Sequence, residues 1–300
     1  MKVKYETNID TVAVQLDFDR PLEQRNKFNL IYNWIIGRGL GKLELNEYKS
    51  SHKVNAYDLM SGKSKLATLH TGFSKNFYIR VRWCGLKSFK SKQDEASFNS
   101  LMTICALLNT TRSNYRFVEL DIALDLFCPF NKALAACINP VNNVPYNPIG
   151  FLQYFNGVPT TYIEDYKDKK KRGAAMRRSY LYDKSKKEGL DYFVVTRFEV
   201  KLQNRYFLEY GFNLSAISTA LSKYAIFHFK SVQDKQLEVY NLGNKKSLNY
   251  LDLFKLEQNY QRVHYDLEVV KEFIRQVESV YVDFYGDVVL PPRLVNIFFR

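Results

Sequence analysis

Carboxylates fall on alternate residues in the segment Arg116 to Asp125, where Glu119, Asp121 and Asp125 are separated by Leu120, Ile122, Ala123 and Leu124. An extended chain projects every second side chain to the same side. Glu119, Asp121, Ala123 and Asp125 therefore share one face, and Leu120, Ile122 and Leu124 the other. Crowded carboxylates repel one another unless a cation or basic side chains compensate them. Two readings follow. The face holds a hard divalent ion such as magnesium or manganese, which prefers oxygen ligands, or it is an acidic strand face balanced by Lys and Arg. The stretch Val195 to Leu202 has the same period, with Arg197, Glu199 and Lys201 on one face and Phe198, Val200 and Leu202 on the other. As a neighbour of the first strand, it adds Glu199 to the acidic cluster and offers Arg197 to a carboxylate or a phosphate. As an edge strand, it carries a salt network and no chemistry.

Between these two segments lies Arg177-Arg178-Ser179-Tyr180-Leu181-Tyr182-Asp183-Lys184, followed by Ser185, Lys186, Lys187 and Glu188. In extended form Tyr180, Tyr182 and Lys184 point together. A phenol is a weak nucleophile at its ordinary pKa near 10, so nearby positive charge or a base must favour the phenolate. A divalent ion would withdraw charge from a scissile phosphate. The alternative is a pair of ordinary sheet tyrosines, in a chain that holds 22 Tyr and 22 Phe. Arg177 and Arg178, together with Lys167, Lys169, Lys170, Lys171 and Arg172, offer phosphate contacts that would position DNA without reading its bases. Arg80 and Arg82, interleaved with Tyr78, could extend that track, and Tyr78 or Tyr180 could stack on a base. The four histidines, His52, His70, His228 and His264, form neither H-x-H nor HExxH. That argues against a zinc-hydrolase site. Gly62-Lys63-Ser64 lacks the upstream glycine of a phosphate-binding loop.

These residues need strands to carry them. Thr11 to Phe18 reads as a strand with Val12, Val14 and Leu16 on one face, and Phe77 to Trp83 as one with a basic face. Helical spacing runs from Leu22 to Arg38, through Phe28, Ile31, Trp34 and Ile35, and again from Asp94 to Leu108. Lys42 to Thr71 reads as short strands with a turn at Ser61-Gly62-Lys63. Residues 139–160, with Pro140, Pro145, Pro148 and Pro159, read as loop. Ser179 to Lys184 and Phe193 to Leu202 read as strands, Leu214 to Phe227 and Leu267 to Val280 as helices. Charges on alternate positions of several strands favour an antiparallel sheet over a parallel one, whose strands are usually buried on both faces. The expected class is α+β, an antiparallel sheet backed by helices with a mostly helical C-terminal part. A break near residue 205 divides a catalytic region, 1–205, from a helical region, 206–300.

The 300-residue chain is long enough for one large domain or two smaller ones. Its 44 Lys and Arg against 31 Asp and Glu give a formal charge of +13, which points to a polyanion, an anionic surface or a solvated basic face. The opening MKVKYETNID has no apolar leader, and no segment approaches the roughly 20 apolar residues of a membrane span. Cys84, Cys105, Cys128 and Cys137 make no CxxC pair and read as reduced core thiols. Cytoplasmic residence without membrane association is the expectation.

Taken together, the three segments resemble the replication initiation proteins of the plasmid and phage trans-acting rolling-circle family. That family's pattern contains R-x-D-x-A-x-D on a strand, then R-x-Y-[DN]-K…E, then R-x-E on another strand. Here these read Glu119-Leu120-Asp121-Ile122-Ala123-Leu124-Asp125, with Glu at the usually basic position, Tyr180-Leu181-Tyr182-Asp183-Lys184…Glu188, and Arg197-Phe198-Glu199. The stretch Tyr78 to Ser88, with Arg82-Trp83-Cys84-Gly85, looks like the family's upstream strand and turn. The resemblance implies a replication-nuclease-like fold and a metal-dependent nickase and strand-transferase acting on origin DNA, single-stranded or hairpin. Tyr182 would attack the DNA to leave a 5′-phosphotyrosyl link and a free 3′-OH, with Tyr180 as the other candidate. Asp121 and Glu199 would bind magnesium or manganese, with Glu119 or Asp125 as a third ligand. Lys184 and Arg197 would stabilise charge at the phosphate, and Glu188 would assist proton transfer. Implied partners are a host polymerase, a helicase and a second copy in a homodimer. A mobile-element nickase or transposase, a non-catalytic DNA-binding regulator and a structural protein with only salt-bridged acids are the competing expectations.

Overall fold

The computed structural model describes residues 3–73, 77–86, 92–137, 151–155, 157–163, 176–189, 194–229 and 260–291. Lys167, Lys169, Lys170, Lys171 and Arg172, read above as phosphate contacts, lie outside these residues, as does the loop reading before Phe151. The chain divides into two compact units: Met1–Asn8 with Asp121–Leu267, and Ile9–Leu120 with Glu268–Arg300.

The unit of residues 9–120 and 268–300 is built on antiparallel strands. They are β1 (Tyr5–Phe18), β2 (Lys42–Leu45), β3 (Val54–Ser61), β4 (Ser64–Phe73), β5 (Phe77–Cys84) and β6 (Tyr115–Leu126), in the order β2-β3-β4-β5-β1-β6. Pairing of β1 with β5 sets Thr11 opposite Cys84 and Phe18 opposite Phe77. The β3–β4 hairpin closes through Gly62 at φ 59°, with Ser61 opposite Ser64. A glycine with positive φ at the first central position suits the tight turns that follow strand twist, so Gly62-Lys63-Ser64 is a hairpin rather than a phosphate loop. Gly72 lies opposite Tyr78. A Cβ there would fall 2.1 Å from the Tyr78 ring, so only glycine lets that ring lie across the strand.

Two helices back these strands. Helix α1 (Pro21–Gly37) starts on a proline suited to the first turn. Its buried Gln24 donates to Gly72 O and Tyr78 O, both at 2.8 Å. Helix α2 (Lys92–Thr110) is buried along most of its length from Ser97 to Leu108 and packs on β4 and β5. Trp34 Nε1 of α1 donates to Thr103 O of α2 at 3.0 Å.

The other unit carries the second half of β6 next to β11 (Thr196–Gln203), β10 (Arg177–Asp183), β9 (Val158–Tyr162) and β8 (Phe151–Phe155), in that order. A three-stranded sheet of β7 (Ala133–Cys137), β12 (Tyr224–Phe229) and β13 (Tyr260–Val263) has β12 in the middle. Helix α3 (Lys184–Glu188) follows β10, and α4 (Asn204–Tyr210) and α5 (Leu214–Leu221) follow β11.

Several elements differ from the sequence reading. Part of the stretch read as loop forms the β8–β9 hairpin, turning at Gly157 with φ 78°. Pro159 is tolerated on β9 because the ladder with β10 spans only Thr160 to Tyr162. The helix read over Leu214 to Phe227 ends at Leu221, and Tyr224–Phe229 becomes a strand. The apolar spacing of Leu214, Ile217 and Leu221 runs on by coincidence into aromatic and β-branched residues that find partners in β7 and β13. The C-terminal stretch is mixed: helix α6 (Leu267–Ser279) is followed by β14 (Tyr281–Val282) and β15 (Val288–Val289). No described helix is long and apolar enough to cross a membrane.

Candidate functional site

Strand β11 is buried from Thr196 to Val200, which makes it an interior strand rather than the edge strand of the bland reading. Its antiparallel register with β10 sets Tyr180 opposite Glu199 and Tyr182 opposite Arg197. Directly opposed residues share a face, so the two sequence alternations converge on one polar layer. Strand β6, on the other side of β11, supplies its acids.

Asp125 is the most heavily held of them. Arg197 grips it with two bonds, Nε to Oδ1 at 2.6 Å and Nη2 to Oδ2 at 2.8 Å. Lys184 Nζ donates to Oδ2 at 2.8 Å, and Asn8 Nδ2 of β1 to the same oxygen at 3.1 Å. Burial alone would raise this carboxyl. The Arg197 hydrogen bonds and charge, joined by Lys184, outweigh it and hold Asp125 at about 2. Burial and then the Arg197 charge pull the Lys184 ammonium below its ordinary value, against the opposing pull of Asp125. Lys184 begins α3 rather than continuing the strand. Asp183 caps that helix by accepting from Lys186 N at 2.9 Å, and the turn aims Lys184 at Asp125.

Asp121 is ion-paired with Lys201, Nζ to Oδ2 at 2.8 Å. Carboxylate oxygens of Asp121 and Glu199 come within 4.8 Å of each other. Glu199 also accepts the Tyr182 hydroxyl, Oη to Oε2 at 3.1 Å. The Tyr182 side chain is 5% exposed, and the Lys187 ammonium lies 4.2 Å from its ring centroid. Tyr180 is half-buried and packs edge-on against Tyr162 at 5.3 Å. Burial raises its phenol, which Glu199 reinforces and Lys201 and Arg178 oppose. Exposed Glu188 ends α3, one turn beyond Lys184.

The remaining predicted residues have other places. Arg82 forks onto Glu119, Nε to Oε2 at 2.8 Å and Nη2 to Oε1 at 3.0 Å. Arg80 donates to Gln15 Oε1 at 2.9 and 2.7 Å, with its guanidinium 5.6 Å from the Tyr78 ring. Arg177 Nε donates to Tyr224 Oη at 3.1 Å. Asn8 and Lys187 were not singled out from sequence. The signal for Asn8 is present in the polar alternation Glu6, Asn8 and Asp10 along β1. The contact between Lys187 and the Tyr182 ring depends on the turn into α3, which no spacing announces.

The layer is electrically balanced. Asp121, Asp125 and Glu199 meet Lys184, Arg197 and Lys201. Yet the cations are not equivalent: the side chains of Arg197 and Lys184 are 1% and 7% exposed, that of Lys201 19%. Lys201 can turn to water once a metal ion takes its place against the buried Asp121, whereas Arg197 cannot leave Asp125 without stranding a buried charge. Asp121 and Glu199 thus form an oxygen-only donor pair whose competing cation is the one able to leave. That donor chemistry fits a hard divalent ion. Asp125 has no such latitude.

No family model matches the chain, and no curated protein does. Among solved structures it is similar to the rolling circle replication initiator protein from Geobacillus stearothermophilus, with 11% identity and a TM-score of 0.43, over 85% of this chain and 96% of that chain. The likeness is weak, though it spans most of both chains.

Proposed function

We propose that this protein is a divalent-metal-dependent DNA-nicking enzyme of the rolling-circle initiator kind, with Tyr182 as nucleophile. The observation that carries the reading is the 3.1 Å hydrogen bond from Tyr182 Oη to Glu199, a carboxylate that lies within 4.8 Å of Asp121. A phenol bonded to a base is the geometry nucleophilic catalysis needs. In the proposed step Tyr182 Oη attacks phosphorus and its proton passes to Glu199. The phosphorus–O3′ bond breaks and the 3′ oxygen leaves as a hydroxyl, with Glu188 as candidate proton source. The product is a 5′-phosphotyrosyl link. Arg197 and Lys184, set by Asp125, hold positive charge beside the phosphate. A magnesium or manganese ion held by Asp121 and Glu199 would neutralise charge on the phosphate oxygens. Arg177 and Arg178 on β10, the 169–172 basic run, and Arg80 and Arg82 are the proposed DNA contacts.

The phenol is nearly buried, so DNA reaches it only if α3, which carries Lys187 over the ring, moves aside. A second reading rests on the same closure: with its charges balanced, the layer would be structural and the protein a DNA-binding regulator. Cleavage assays on single-stranded and supercoiled DNA separate the two. The enzyme reading expects manganese-dependent nicking that Asp121→Asn and Glu199→Gln each reduce by about 100-fold or more. DNA binding with no nicking in any divalent metal selects the regulator.

A further inference from the structure

Behind β11, on the side away from Tyr182, lies a cavity of about 260 Å³ walled by α5, β12, β13 and the residues after β13. Phe198 faces that side. Its ring packs against Tyr224 at 5.4 Å and Tyr265 at 6.3 Å, and both tyrosines line the cavity along with Ser218, Ser222, Arg262 and His264. Among the described residues of its wall Arg262 is the full charge and no carboxylate is present. Burial, and then the Arg262 charge, hold the His264 imidazole below its ordinary value, which leaves it neutral near pH 7. Arg262 Nε and Tyr265 Oη are buried with no hydrogen-bond partner among the described residues. A buried donor without an acceptor is costly, so such groups usually mark a strain, a water or a ligand.

We propose that this cavity binds one nucleotide, its phosphate taken by Arg262 and the two serine hydroxyls and its base set against Tyr224 and Tyr265. The chemistry of the wall divides in that way: donors and a lone guanidinium for a phosphate, aromatic faces for a planar ring. Its volume lies just below the roughly 300–1,000 Å³ of small-ligand clefts, room for about one nucleotide unit. The nucleotide comes either free or as the terminal unit of a strand. Because Phe198 sits between Arg197 and Glu199 on β11, Tyr224 and Tyr265 connect an occupant to the strand that holds the polar layer.

The test is isothermal titration of the full chain without divalent ion, so that it stands apart from the nicking chemistry. The probes are thymidine 5′-monophosphate, thymidine, inorganic phosphate and a 5′-phosphorylated oligothymidylate. The monophosphate should bind saturably, with thymidine and phosphate each at least about tenfold weaker. Arg262→Ala should weaken it by about tenfold or more, and Ser222→Leu, at an exposed position on the cavity wall, should do the same without touching the core. An oligonucleotide that binds tighter than the monophosphate and loses that advantage in Arg262→Ala makes a strand terminus the source; an advantage that survives Arg262→Ala belongs to the basic DNA track, and the free nucleotide is then the source. Absence of saturable binding, phosphate binding as well as the nucleotide, or full affinity in both variants overturns the proposal.

Discussion

At the scale of single residues, Asp125 is the hinge of the polar layer because it neutralises two buried cations at once. Replacing it by Asn leaves Arg197 and Lys184 without a counter-charge, a loss of about 3–5 kcal/mol for a buried pair broken on one side. The pH dependence has a definite sign. The folded carboxyl sits at about 2 against an ordinary 3.8, so its contribution is in full force above pH 4 and fades as pH falls toward 2. The difference corresponds to about 2 kcal/mol. Urea unfolding at pH 7 and pH 2.5 should show this acid loss in the parent chain and a smaller one in Asp125→Asn; equal losses would contradict the assignment. Sequence spacing located the participants: the alternations of 119–125 and 197–201 put Asp121, Asp125, Arg197, Glu199 and Lys201 on common faces. It could not assign partners, because whether Arg197 meets Asp125 or Glu199 depends on cross-strand register. Spacing likewise left the metal and salt-bridge readings of the acids level. The register ties Asp125 to Arg197 and Glu119 to Arg82 and leaves Asp121 and Glu199 side by side.

At the scale of elements, the turn from β10 into α3 decides where Lys184 points. The period of two through Tyr182-Asp183-Lys184 runs unbroken and predicts a strand continuing to Lys184. The capping bond from Lys186 N to Asp183 stops it, and only five residues of helix follow before Gly189, at φ 63°, ends it. A helix that short owes much to its cap. Asp183→Ala should cost about 1 kcal/mol of stability and loosen Lys184 and Lys187 together, measured as faster amide exchange over 184–189. Unchanged exchange would mean that packing, not the cap, sets α3. The long elements were legible for the same physical reasons: α2 and α6 carry apolar stripes, and Phe77–Cys84 alternates cleanly. Tyr224–Phe229 was not, since a short apolar run fits either period until its neighbours β7 and β13 are known.

At the scale of the whole molecule, the formal charge of +13 is the feature that any DNA-handling account must use. Arg80 and Arg82 are engaged by Gln15 and Glu119, so under the proposed function much of the phosphate binding would fall on the 169–172 run and on Arg177 and Arg178. With about four phosphate contacts, affinity should fall about 50-fold for single-stranded DNA and about 150-fold for duplex between about 50 and 200 mM salt. Changing Lys169, Lys170 and Lys171 together to Ala should flatten that slope by about 2–3 contacts; an unchanged slope would move the DNA to another face. The central claim, that a tyrosine of β10 becomes joined to DNA, is tested most directly by peptide mass mapping of protein incubated with manganese and single-stranded or supercoiled DNA. The account predicts a nucleotide-bearing peptide modified at Tyr182, abolished in Tyr182→Phe and retained in Tyr180→Phe. Nicked DNA with no modified tyrosine, or a modification that survives Tyr182→Phe, would contradict it.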